Sequence, residues 1–169
     1  MSLFSFDDRG NMMPYGLISI DNLDYFEEFF VSEFPSSQTR KRIYHGFLAY
    51  VHDLGELWQQ NWTIWVDGSF TTLKNNPNDI DIVSFVDWSE NLQKKAAQTF
   101  HQFAEYPVRE RYHVDADFCA IYPENDPRYA VNGENLRYWS DTFGFAYTNN
   151  LAHYDQPKGI IQLDIVGFQ

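Results

Sequence analysis

Two aspartates, Asp79 and Asp81, stand two positions apart in the run Asp79-Ile-Asp-Ile-Val-Ser-Phe85, where the other side chains are almost all apolar. If 79–86 is a strand, its period of two places both carboxylates on one face. Neighbouring like charges repel, and a hard divalent cation between them is the usual relief. Just upstream, Trp65-Val-Asp-Gly-Ser69 delivers Gly68 and Ser69 to a turn. A glycine there lets backbone N–H groups come close to a phosphate, and the serine adds a hydroxyl. These parts together describe a site for a nucleoside triphosphate that depends on Mg²⁺ or Mn²⁺. A third acid would complete a two-metal cluster. The following strand offers Asp115 and Asp117, which share a face, so spacing alone leaves the choice between them open.

Positioning these groups requires strands interleaved with helices. Residues 1–18 read as an extended segment with a turn at Met13-Pro-Tyr-Gly16. Ser19 or Asp21 can cap a short helix whose Leu23, Phe26 and Phe30 share a face. From about Ser37 to Gln59 the positions Ile43, Phe47, Tyr50, Val51, Leu54 and Trp58 follow the helical period. Thr63–Val66 and Asp79–Val86 read as strands, and Ser89 caps a helix over 90–103. After Pro107 the stretch 112–122 alternates as a third strand, ended by Pro123. Pro127 to Gly133 reads as a turn region and 134–143 as a helix. A turn at Tyr154-Asp-Gln-Pro157 precedes a last strand over 158–166. The order predicts an α/β (α+β) fold, one domain spanning 1–169 with a mixed sheet flanked by helices.

Composition narrows the partners. The chain has 169 residues, 44% hydrophobic and 18% aromatic, enough for one domain with a substantial core. Twelve Lys and Arg stand against 24 Asp and Glu, a formal charge of −12. Binding to free nucleic acid draws most of its affinity from basic residues on phosphates, so this balance disfavours it. No window is apolar enough for a membrane span and the N-terminus lacks a signal-peptide pattern. Cys119 is the single cysteine, which suits the reducing cytoplasm. The five histidines lack metal-ligand spacing.

The central window resembles the nucleotidyltransferase superfamily, the polymerase-beta-like fold. Its signature is a hydrophobic residue before Gly-Gly or Gly-Ser, followed after a short turn by alternating acids and hydrophobics. Here Val66 to Ser69 and Asp79 to Ile82 match it. More narrowly, the chain resembles a family of small, uncharacterised nucleotidyltransferase-like proteins of bacteria and mobile elements. That likeness runs through Met13-Pro-Tyr-Gly16, Arg40 or Arg42, Asp67 to Lys74, Pro77 to Asp81, Val114-Asp115 and Lys158-Gly159. It implies that Asp79 and Asp81 hold two Mg²⁺ ions roughly 3.5–4 Å apart, with Asp115 as third ligand and Asp117 as its alternative. It also implies that Gly68 admits the β- and γ-phosphates and that Ser69 donates to one of them. Lys74 then neutralises the departing pyrophosphate, or is a solvated loop lysine. Thr71 and Thr72 donate to phosphate, or cap the turn. Lys158, Arg40 and Arg42 are further phosphate candidates against a surface ion-pair reading. Asp67 anchors the turn. Trp62, Trp65, Trp88, Trp139, Tyr112 and Tyr122 are core residues or stack on a base.

The resemblance implies transfer of a nucleoside monophosphate from an NTP to an acceptor hydroxyl on a protein, RNA or small molecule, in a toxin–antitoxin or defence setting. The acceptor and base are not specified, and a protein partner is compatible with the charge. The competing expectation is a binding module of the same fold, an antitoxin, immunity or regulatory partner without turnover. The Asp-x-Asp of a nucleotide-sugar glycosyltransferase fits worse, because too little chain precedes the motif. An EF-hand lacks its required Gly and Glu.

Overall fold

The computed structural model describes residues 3–103, 106–148 and 151–167. Its framework is a five-stranded mixed sheet that carries a hydrophobic layer on each face. Two short strands, β1 (Ser5–Phe6) and β2 (Met12–Met13), form a hairpin ahead of β3 (Gly16–Ile20). Helix α1 (Leu23–Glu27) follows and continues as a π-helical turn over Glu28–Ser32. Its cap is Asn22, whose Oδ1 accepts from the Asp24 N–H at 2.7 Å, one residue beyond the expected Asp21. Helix α2 (Arg40–Trp58) begins where the Ser37 hydroxyl accepts the Arg40 N–H at 3.2 Å. Strand β4 (Trp62–Asp67), a 3-10 turn (Ser69–Thr71) and strand β5 (Ile80–Asp87) come next. Helix α3 (Glu90–Phe103) is capped by Ser89 as expected, with its hydroxyl accepting from the Leu92 N–H at 3.0 Å.

The order in the sheet is β3-β9-β4-β5-β6, where β6 is Val114–Ile121 and β9 is Gly159–Ile165. The outer pairs β3–β9 and β5–β6 are parallel, and β4 is antiparallel to both of its neighbours. Strand alternation then sorts the side chains. Ile64, Val66, Ile80, Ile82, Val86, Val114 and Ala116 face the main core, with Phe26, Phe30, Phe47, Tyr50, Leu54 and Trp58 of the helices. On the opposite face Trp65, Val83, Phe85, Cys119 and Ile160 form a smaller cluster, closed by Phe143 and Trp139 from helix α5 (Ala130–Phe143). That second face carries the acids.

Three segments differ from expectation. The stretch from 112 begins as the end of a helix, α4 (Tyr106–Tyr112), and the strand starts only at Val114. A proline in the first turn of a helix removes no intrahelical hydrogen bond, so Pro107 does not break it. Gly46 in α2 lets α4 approach, since a Cβ there would lie 2.0 Å from the Tyr112 carbonyl oxygen. Helix α5 starts at Ala130, inside the segment read as a turn. Residues 154–157 are not a turn but part of β8 (Leu151–Pro157), which pairs with β7 (Phe145–Thr148) as a hairpin before β9. Trp62, Trp65 and Tyr112 are buried. Trp88 and Tyr122 flank the Arg128 guanidinium at 4.3 and 4.2 Å, and Trp139 donates to Cys119 Sγ.

Candidate functional site

Register brings three aspartates into one row across neighbouring strands. Asp67 at the end of β4 lies opposite Asp81 in β5, and Asp81 lies opposite Asp115 in β6. Asp79 sits just ahead of β5. The register also separates Asp115 from Asp117: Asp115 is level with Asp81, whereas Asp117 lies opposite Val83, one pleat further along. Neighbours in register project to the same face, so the row forms a band of negative charge at one end of the sheet.

The glycine–serine bend closes on this band. Gly68 has φ +81°, a conformation that side chains disfavour, and an added Cβ would stand 1.6 Å from Asp81 Oδ2. The backbone therefore touches the carboxylate, and only glycine permits the approach. After the bend, Thr71 is fully buried and its hydroxyl donates to the Gly68 carbonyl at 3.2 Å. The Thr72 hydroxyl donates to the Ser69 carbonyl at 2.8 Å and accepts the Lys74 N–H at 3.2 Å. Both threonines thus cap the turn.

Arg40 holds the bend in place. It is completely buried, so the surface ion pair expected of it is absent. Nη1 donates to the carbonyls of Phe30 (2.8 Å) and Phe70 (2.7 Å), and Nη2 to those of Thr72 (2.7 Å) and Lys74 (2.8 Å). The Phe34 ring lies 3.7 Å from the guanidinium carbon. Burial lowers the Arg40 pKa to about 10, so the group stays charged at neutral pH. Arg40 is spent on backbone oxygens, and no phosphate role remains for it. Arg42 is exposed.

A cleft of about 400 Å³ opens at the bend, lined by Asp67, Gly68, Ser69, Asp81 and Lys158, with Asn11, Thr72, Thr142, Phe143 and Ala146 around them. The lysine of this cleft is Lys158, while Lys74 is exposed outside it. Lys158 Nζ lies 2.7 Å from Asp67 Oδ2, and both side chains are over 90% buried. Burial pushes the Asp67 carboxyl up, against the opposing pull of the Lys158 ammonium. Asp81 is raised to about 6, first by burial and then by the charges of Asp79 and Asp115, with Lys158 and Arg109 acting the other way. Asp117 is raised by burial and by Asp115.

Arg109 is the basic group that sequence reasoning passed over. Its Nε donates to Asp79 Oδ2 at 2.5 Å and its Nη2 to Asp115 Oδ2 at 2.9 Å. It reaches them because the chain reverses at His113, with φ 56°, between α4 and β6. Among the described residues, no three His, Cys, Asp or Glu side chains are placed to hold one metal ion together. The donors themselves suit Mg²⁺ or Mn²⁺: they are hard carboxylates, and burial followed by mutual repulsion raises the innermost one. A guanidinium already stands between the outer two, so this spot is one where positive charge is favoured. The residues fit the ion in chemistry, and in their present arrangement Arg109 bridges Asp79 and Asp115.

No curated protein and no solved structure matches the chain. A family model does, over residues 4–164, which takes in every strand of the central sheet but the last residue of β9. On that match the chain belongs to DUF6932, a family of unknown function.

Proposed function

We propose that this protein is a metal-dependent nucleotidyltransferase, moving a nucleoside monophosphate from an NTP to an acceptor hydroxyl on a protein, RNA or small molecule. One observation carries the reading: the Gly68 backbone lies against the Asp81 carboxylate on the floor of a cleft whose other charged wall is Lys158. A scaffold has no need to press a bare backbone onto a buried acid. The triphosphate enters beside Gly68 and Ser69, whose N–H groups and hydroxyl meet its outer phosphates. Lys158 supplies fixed positive charge from within the wall, the role that Lys74 is too exposed to play. Asp79, Asp81 and Asp115 would hold Mg²⁺ or Mn²⁺, which when bound offsets phosphate charge and lowers the pKa of the acceptor hydroxyl. Asp81, held against Gly68, keeps this pair of functions at one point.

The charge of −12 favours a protein or small-molecule acceptor over bare RNA, unless a partner supplies basic surface. Among the described residues no helix is long and apolar enough to cross a membrane. Cys119 is a buried free thiol, in keeping with the cytosol, where NTPs are abundant. A second reading, a binding module without turnover, is favoured by the Arg109 bridge, which neutralises two of the acids from within. Metal-dependent consumption of NTP separates the two, and calorimetry tests the nucleotide site that the first reading requires. Titration with each Mg²⁺–NTP should give saturable binding to the wild type, weakened by Lys158→Met and abolished by Asp79→Ala/Asp81→Ala. Absence of binding by every NTP would reject the nucleotide site.

A further inference from the structure

Arg109 combines a fixed root with a free head. Its helix, α4, is anchored by Val108 and Tyr112, each 2% exposed, whereas the Arg109 side chain is 50% exposed. The Arg109 carbonyl accepts the His113 N–H at 3.0 Å, and the His113 carbonyl accepts the Ile80 N–H at 3.1 Å, which ties the end of α4 to the start of β5. The root of the side chain therefore stays beside Asp79 and Asp115 whatever else occupies the site, and solvent on one side leaves the guanidinium room to swing away. It cannot release its charge by deprotonation near neutral pH, so only another cation can displace it.

We propose that Arg109 is a built-in counter-ion that competes with the divalent metal for Asp79 and Asp115, so that the site takes up metal and nucleotide together. The proposal rests on the nucleotidyltransferase reading of this site. Metal alone must displace a guanidinium already bonded to two carboxylates. Metal arriving with a triphosphate brings new anionic oxygens, which give the displaced guanidinium a partner near its root. Each ligand thus raises the affinity for the other, and the coupling is reciprocal. Such a site takes up stray divalent ions weakly and loads preferentially in the presence of NTP.

Binding of Mn²⁺, followed by equilibrium dialysis with protein-free analogue as the blank, tests this on the full chain. The proteins are the wild type, Arg109→Gln, Arg109→Met and Asp79→Asn/Asp81→Asn, each with and without a non-hydrolysable NTP analogue, after circular dichroism has verified the fold. Arg109→Gln keeps a planar donor without charge, so it stands in if Arg109→Met unfolds. The wild type should bind Mn²⁺ weakly alone and about 5- to 100-fold more tightly with the analogue. The neutral variants should bind Mn²⁺ alone more tightly than the wild type and lose most of the nucleotide effect. Neutral variants that bind no more tightly, in a protein whose wild type binds Mn²⁺ with the analogue, overturn the competition and leave the nucleotidyltransferase reading intact. Tight Mn²⁺ binding by those variants, unaffected by any analogue, upholds the competition for metal and overturns joint loading along with the nucleotide reading. No Mn²⁺ bound by any protein under either condition overturns both.

Discussion

Replacing Asp81 by asparagine should stabilise the protein while disabling it. Asp81 titrates at about 6 in the fold against an ordinary 3.8, because burial and the charges of Asp79 and Asp115 oppose its ionisation. The native state therefore holds its proton more tightly than the unfolded chain, and stability falls as pH rises from about 4 to about 6. Above that window the charged carboxylate destabilises the fold by about 3 kcal/mol, and below the ordinary carboxylate range it has no effect. Asparagine has nearly the same shape, so the Gly68 contact survives and the charge repulsion does not. Urea unfolding at about pH 7.5 with a chelator should show Asp81→Asn more stable by about 2–3 kcal/mol, or roughly 4–10 °C in melting temperature. The gap should close as the pH is lowered to about 4. Addition of Mg²⁺–NTP should then raise the melting temperature of the wild type alone. A variant less stable than the wild type at about pH 7.5, or a gap that ignores pH, would refute the electrostatic account of this row.

Three other substitutions probe the supports. Gly68→Ala forces a Cβ onto the Asp81 carboxylate at a positive φ, so it should lower stability by at least about 2 kcal/mol in urea titrations and remove nucleotide-induced stabilisation; an unchanged midpoint would contradict the close approach. Arg40→Met leaves four carbonyls without their donor and should cost about 3–5 kcal/mol, with faster hydrogen exchange in 68–74. A loss confined to activity, with stability untouched, would instead mark Arg40 as a ligand group. Lys158→Met leaves the buried Asp67 without its counter-charge and should cost little at about pH 6 and about 3 kcal/mol by about pH 9, since Asp67, already raised to about 7, takes a proton below that range. Asp67→Asn in the same chain should restore most of the loss. Additive single effects would show that the pair is not coupled.

Much of the site was written in local pattern. Alternation across 79–86 put Asp81 among core residues, and the glycine–serine bend could be read from Val66 to Ser69. What pattern does not carry is register between parallel strands. Asp81 and Asp115 align only because α3, α4 and the reversal at His113 set where β6 starts, and Pro107 disguised α4 as a break. Arg40 opens an amphipathic helix, a position where arginine is usually solvated, and its four partners are backbone oxygens that leave no sequence trace. Lys158 stands in the sequence only as a further phosphate candidate, because it precedes an apolar strand and its acid partner is far away in the chain, whereas Lys74 lies close to the motif. Arg109 had no signal of its own. Only the charge balance points to it, since so many neighbouring aspartates call for a cation among them.

Transfer of label from α-³²P-NTPs is the most direct trial of the central claim. Each of the four nucleotides, with Mg²⁺ or Mn²⁺, would be incubated with wild-type protein or Asp79→Ala/Asp81→Ala and a fractionated lysate as the source of acceptors. The account predicts covalent labelling of an acceptor by the wild type in the presence of metal, and none by the double variant. Labelling that survives the loss of both aspartates, or wild-type protein that binds Mg²⁺–NTP yet labels nothing, would contradict it.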